Sequence, residues 1–157
     1  MKLQIWSIGK PHEVFVKAGI EQYHKRILHY FPLEWNIIPM QKNTGFLPIP
    51  DQLKKEGEVI LGMLKADDFL VVLDEKGKQL TSEGLASFIE TKSTQGTRQL
   101  IFFIGGAYGT DQRVLARAGF TWSLSSLVFP HQLVRLILAE QLYRACTIIR
   151  NEKYHHS

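Results

Sequence analysis

Gln99-Leu100-Ile101-Phe102-Phe103-Ile104-Gly105-Gly106-Ala107-Tyr108-Gly109 is the stretch that decides the fold. An apolar run this short, unbroken by a polar residue after Gln99, reads as a strand covered on both faces, the usual state of a strand in a parallel sheet. It empties directly into three glycines in five residues. Without β-carbons, that loop lets backbone N–H groups come close to a ligand; a tight strand-to-helix turn would use the same residues.

Working outward, Phe69-Leu70-Val71-Val72-Leu73 repeats the buried-strand pattern and meets turn residues at Asp74-Glu75-Lys76-Gly77. Between these two strands, Ser82 can cap a helix carrying Leu85, Phe88 and Ile89, closed by a turn at Ser93-Thr94-Gln95-Gly96. On the far side come a short helix from Asp111 to Ala118, a strand at Trp122-Ser123-Leu124 and a connection from Ser125 to Pro130. The last helix, Leu133 to Ile149, carries apolar residues over more than half its girth, which predicts burial against two partners.

The first half follows the same alternation. Leu3 to Ile8 reads as a strand, Glu13 to His29 as a helix with Val16, Ile20, Tyr23 and Ile27 on one stripe, and Leu33 to Ile38 as a second strand. Gln41 to Pro50, with Asn43, Gly45, Pro48 and Pro50, reads as a loop, and Asp51 as the cap of a helix carrying Leu53, Ile60 and Leu64. Gly57 and Gly62 each cost that helix about 1 kcal/mol against Ala.

Strands alternating with helices throughout predict one α/β domain over residues 1–157, with a mainly parallel sheet and helices on both faces. Ligands in such domains sit outside the carboxyl ends of the strands. With 157 residues, 45% of them hydrophobic and 22% charged, the chain is too apolar for disorder and too short for a second full domain. A net charge of +4 is compatible with a polyanionic partner. Cys146 is the single cysteine, which excludes an internal disulfide and a cysteine zinc cluster and suits a reducing, cytoplasmic setting. No signal-peptide h-region and no membrane-spanning run is present in the sequence.

A dinucleotide fingerprint needs G-x-G-x-x-G after the first strand, and a Walker loop needs G-K-[ST]. The first turn reads Gly9-Lys10-Pro11-His12, so both are disfavoured. The connection Ser125-Ser126-Leu127-Val128-Phe129-Pro130-His131 is oddly apolar for a loop and suits the wall of an adenine-sized pocket. Arg135 stands in the most apolar helix, where a buried guanidinium needs an anion, either a carboxylate such as Glu140 or a substrate. The tail Lys153-Tyr154-His155-His156 joins charge to an aromatic that can stack on a base. Its paired histidines lack further spaced ligands, so no metal site is read there.

Three stretches go further: Ile104 to Gly109, Leu124 to Arg135, and Glu140-Gln141-Leu142-Tyr143-Arg144-Ala145. Together with Leu73 to Gly77, Ser82 to Ala86, the opening Lys2 to Gly9 and Tyr154-His155, they resemble the ribosomal RNA large subunit methyltransferase H family over essentially the whole chain. The resemblance implies a SPOUT-class fold whose C-terminal part is tied in a trefoil knot, an S-adenosylmethionine site in the knot, no metal, and a homodimer. It implies methylation at N3 of a pseudouridine in large-subunit (23S-type) ribosomal RNA, with the assembled ribosome as substrate. Carried over by motif, Leu73, Gly105, Leu124, Ser125, Ser126, Leu127, Val128 and Phe129 would hold the cofactor, and Arg135, Tyr154 and His155 would surround the target base. The tail would reach a site on the partner subunit.

Two positions depart from the family pattern. His156 and Ser157 stand where such tails usually carry Arg or Lys, and Ala107-Tyr108 where a polar or acidic residue is common. Two rivals have a different chemistry: a non-catalytic ribosome-associated RNA-binding protein, which would not bind the cofactor, and an α/β enzyme for a small nucleotide, which would not need ribosomes.

Overall fold

The computed structural model describes residues 1–40 and 46–156. Its elements run β1 (Lys2–Ile8), α1 (Val14–Ile27), β2 (Leu33–Ile38), α2 (Ile49–Met63), β3 (Phe69–Gln79), α3 (Ser82–Thr94), β4 (Gln99–Ile104), α4 (Gln112–Arg117), β5 (Phe120–Ser123) and α5 (His131–Ile149). The five strands form one sheet in the order β2-β1-β4-β3-β5, with every pairing parallel.

Alternation along the strands divides the core into two layers. Leu3, Ile5, Val71, Leu100 and Phe102 face one side, where Leu85 and Ile89 of α3 and Leu138 and Leu142 of α5 cover them. Trp6, Ile8, Leu70, Val72, Ile101 and Phe103 face the other, under Ile60 of α2 and Val114 of α4. The apolar runs of β3 and β4 therefore bury both faces, as a central parallel strand must. Helix α5 packs against both α1 and α3. Of its apolar stripe, Leu138, Leu142 and Ala145 are buried, and Leu133, Val134, Ile137, Ile148 and Ile149 are half-buried.

Several boundaries differ from the sequence reading. The turn residues Asp74 to Gly77 do not end β3; they form a bulge between Leu73, paired with Trp122, and Lys78, paired with Trp122 again. Gly77 permits this, since a Cβ there would stand 2.7 Å from the backbone of Thr121 and Trp122. Helix α2 starts at Ile49, so Pro50 and Asp51 lie in its first turn and Asp51 is not the cap. Proline is tolerated there because its missing N–H would have no helical partner. Of the expected loop, residues 41–45 lie outside the described residues. Thr81, not Ser82, caps α3 by accepting from Gly84 N–H at 3.0 Å. Asp111 and Ala118, read as the ends of a short helix, are the residues that cap α4 at either end. Strand β5 begins at Phe120 and α5 at His131, earlier than the apolar pattern alone suggests. No helix among the described residues is long and apolar enough to cross a membrane.

Candidate active site

The apolar run of β3 ends level with β4 and one residue before the end of β5: Leu73, the last residue before the bulge, is in register with Ile104 on one side and Trp122 on the other. Just beyond these ends lies a cavity of about 440 Å³. Its wall is built from Leu73, Asp74 and Glu75 at the bulge of β3, Ile104 to Thr110 at and after the end of β4, Trp122 to Ser125 and Leu127 to Phe129 around and after the end of β5, and His131 and Val134 of α5. The position follows the rule for open parallel sheets, and the size suits a small-molecule ligand.

The glycine loop is folded on itself. Gly106 and Gly109 form a bridge in which Gly109 N–H donates to Gly106 O at 3.2 Å, and Gly109 has φ +91°. Across the cavity, Leu127 N–H donates to Ser125 Oγ and the Ser123 hydroxyl donates to Ser125 O, each at 3.0 Å. These bonds hold the connection after β5 in a tight turn and leave Leu127 and Val128 70% and 83% exposed. An apolar ridge this open beside a cavity is a surface that a ligand would cover.

Of the residues expected to hold a cofactor, Leu73, Gly105, Leu124, Ser125, Leu127, Val128 and Phe129 are brought together on this wall. Ser126 is not on it; its Oγ lies 3.5 Å from Gln79 Nε2, on the strand side of the turn. Sequence reading did not single out Asp74, Glu75, Thr110 or Trp122. The two carboxylates follow the apolar run Phe69 to Leu73 immediately in sequence, so the strand-end rule could have found them. Trp122 joins the wall only because β5 pairs with β3.

Arg135 is on the same helix as His131 but turns inward and is 1% exposed. Its Nε donates to Ser7 Oγ at 2.9 Å and its Nη1 to Lys10 O at 2.8 Å, with His12 Nδ1 at 3.4 Å. No carboxylate pairs with it among the described residues. The expected partner Glu140 is engaged instead by Arg144, one turn along α5, and accepts from the Tyr154 hydroxyl at 3.2 Å. Burial and the Arg135 guanidinium hold His12 below the ordinary histidine range. Arg135 does not line the cavity; it ties the turn after β1 to α5.

Nor do Tyr154 and His155 line the cavity of their own chain. The tail folds back on α5 and the start of α3. The Tyr154 ring lies 4.7 Å from that of Tyr143, with the Arg144 guanidinium 4.9 Å above it. His155 Nε2 is 2.7 Å from Glu83 Oε1, and its Nδ1 is 3.4 Å from Arg144 Nη1. Burial drives the Tyr154 hydroxyl well above its ordinary pKa, which keeps it protonated and donating. Among the described residues, no group of three or more His, Cys, Asp or Glu is placed to hold a metal ion.

The whole chain can be matched to known proteins. A protein of Cytophaga hutchinsonii named ribosomal RNA large subunit methyltransferase H is 48% identical over 157 residues, covering 99% of this chain and 100% of the relative. Proteins of the same name from Christiangramia forsetii and Parabacteroides distasonis are 45% and 43% identical, each over 99% of both chains. The family model described as "Predicted SPOUT methyltransferase" matches residues 1–155. A parallel sheet with a cavity at its carboxyl ends, together with a match from the first residue almost to the last, makes this chain a member of the SPOUT methyltransferase family.

Proposed function

We propose that this chain, one catalytic domain over residues 1–157, transfers a methyl group from S-adenosylmethionine to N3 of a pseudouridine in large-subunit ribosomal RNA on the assembled ribosome. It would do so in the cytoplasm, as a homodimer with the C-terminal part of each chain in a trefoil knot. The observation that carries this reading is the convergence of three separate stretches, 73–75, 104–110 and 122–134, on one cavity. The relatives' shared name points to the substrate.

The wall fits the donor's chemistry. Leu73, Leu124, Leu127, Val128 and Phe129 offer apolar contact to an adenine, the glycine loop offers backbone groups, and Asp74 and Glu75 offer negative charge to a cationic sulfonium and ammonium. When bound, S-adenosylmethionine supplies an electrophilic methyl group. The chain's own task is to present the target nitrogen in line with it and to provide for loss of the imide proton. His131, on the cavity wall, and His155 are the candidates to accept that proton in neutral form. Tyr154 and His155 would act on the partner's cavity, since they line none in their own chain, and Arg135 would act by fixing the turn that carries Lys10 and His12.

Calorimetry with S-adenosylmethionine, followed by methyl transfer to whole ribosomes and to free ribosomal RNA, tests this reading. Cofactor binding with transfer only to ribosomes is the expected result. Ribosome binding without cofactor affinity would make the protein a non-catalytic RNA-binding module instead.

A further inference from the structure

Helix α2 stands outside the cavity wall, yet it touches the glycine loop at two points. Gly57, buried in the middle of α2, is a notch that receives Asp111: a Cβ at Gly57 would lie 2.6–2.8 Å from Asp111 Oδ2, Cβ and Cγ. Asp111 closes the loop by capping α4, accepting from Arg113 N–H at 2.7 Å. Arg113 in turn donates to Lys54 O of α2 at 3.0 Å. One residue before the notch, the half-buried Glu56 carboxylate sits against Gly106, its oxygens 3.3 and 3.5 Å from where a Cβ would be. A glycine in mid-helix weakens the helix relative to alanine, so this one has a packing use that its helix propensity opposes.

We propose that Glu56 and Gly57 are positioning residues for the Gly105–Thr110 loop, so that affinity for the methyl donor is set from α2, outside the cavity. The inference rests on the reading of the cavity as the methyl-donor site. Neither α2 residue lines the cavity: Glu56 lies against the loop at Gly106, and Gly57 receives its exit at Asp111. With entry held by β4 and exit by the notch, the loop backbone has one conformation to offer a ligand. A ligand that binds only one conformation loses affinity in proportion to the fraction of molecules that leave it.

Gly57→Ala, Asp111→Gly, the double variant, Glu56→Ala and Glu56→Gln provide the test, in the full chain. Glycine at the cap costs little more than the native residue and empties the notch. Expected are about a tenfold loss of S-adenosylmethionine affinity in Gly57→Ala, a KM for the donor that rises while the KM for ribosomes stays, and a double variant no worse than Asp111→Gly alone. Glu56→Gln, which keeps the shape, is expected to retain the affinity that Glu56→Ala loses. Amide hydrogen exchange reads the same effect without a ligand: residues 105–110 should exchange about tenfold faster in Gly57→Ala, with β1 and β4 unchanged. Additive losses in the double variant, or wild-type exchange and affinity in Gly57→Ala, would overturn the proposal. Failure of the wild-type chain to bind S-adenosylmethionine, with faster exchange of residues 105–110 still seen in Gly57→Ala, would overturn the methyl-donor reading and keep the positioning role of α2.

Discussion

Arg135 of α5 reaches across the interior to donate from Nε to Ser7 Oγ of β1 at 2.9 Å. Both side chains are buried, and the guanidinium keeps its charge on neutral acceptors alone among the described residues. Removing one acceptor strands a charged donor, which costs about 1–3 kcal/mol or more. Ser7→Ala should therefore lower the melting temperature clearly, while Arg135→Met, which removes the charge itself, should cost less stability than charge loss suggests. Thermal denaturation of the two variants checks the order.

His12, beside that guanidinium, gives the fold a pH dependence of known sign. Its folded pKa lies below the unfolded value of 6.5 because of burial first and Arg135 second. Below about pH 6.5 the unfolded chain binds more protons than the folded one, so stability falls on acidification through that window. His12→Gln should flatten the melting temperature between neutral pH and the carboxylate range. An unchanged slope would assign the acid sensitivity to other groups.

Gly105 has less freedom than its place in a ligand loop suggests. A Cβ there would stand 2.7 Å from Thr110 Oγ1 and 2.8 Å from Gly109 O. Gly105→Ala should thus lower S-adenosylmethionine affinity by remodelling the loop, before any clash with a ligand. Adding Thr110→Ala should not restore it, because the backbone oxygen remains. Calorimetry on the single and double variants decides the point.

Cys146 is buried in α5, and burial pushes its thiol up to about 12. The native protein should not react with a thiol-specific reagent at neutral pH, and should react fully in denaturant. Reaction of the folded chain would show that the packing of α5 against α1 and α3 opens.

Truncation before Tyr154 should leave cofactor affinity nearly unchanged and strongly reduce methyl transfer, since the tail packs on Glu140 and Glu83, away from its own cavity. Calorimetry and single-turnover transfer on ribosomes measure the two effects separately. Unchanged transfer would remove Tyr154 and His155 from the reaction.

What could be read from the residues was whatever depends on near neighbours. The unbroken runs of β3 and β4 declare a covered parallel sheet, and a glycine loop and an apolar connection placed after strands declare a site at their ends. Features made by distant contacts were hidden. Asp74 to Gly77 look like the end of a strand and become a bulge because β5 pairs again beyond them. Gly57 looks like a flaw in a helix and is a socket for Asp111. Arg135 looks ready for a substrate or for Glu140, and its partners come from β1 and the turn after it, at the opposite end of the chain. Ser126 has the same chemistry as Ser125, and only the turn between them separates wall from outer surface.

The insertion of β3 between β4 and β5 also sets a timetable. Because the cavity draws its wall from residues 73–75, 104–110 and 122–134, a chain still being synthesised has no site until its last strand has emerged and paired with β3. Such pairing between distant segments is slow relative to local helix formation. The cavity is therefore among the last features of the fold to form, since β5 must first pair with β3.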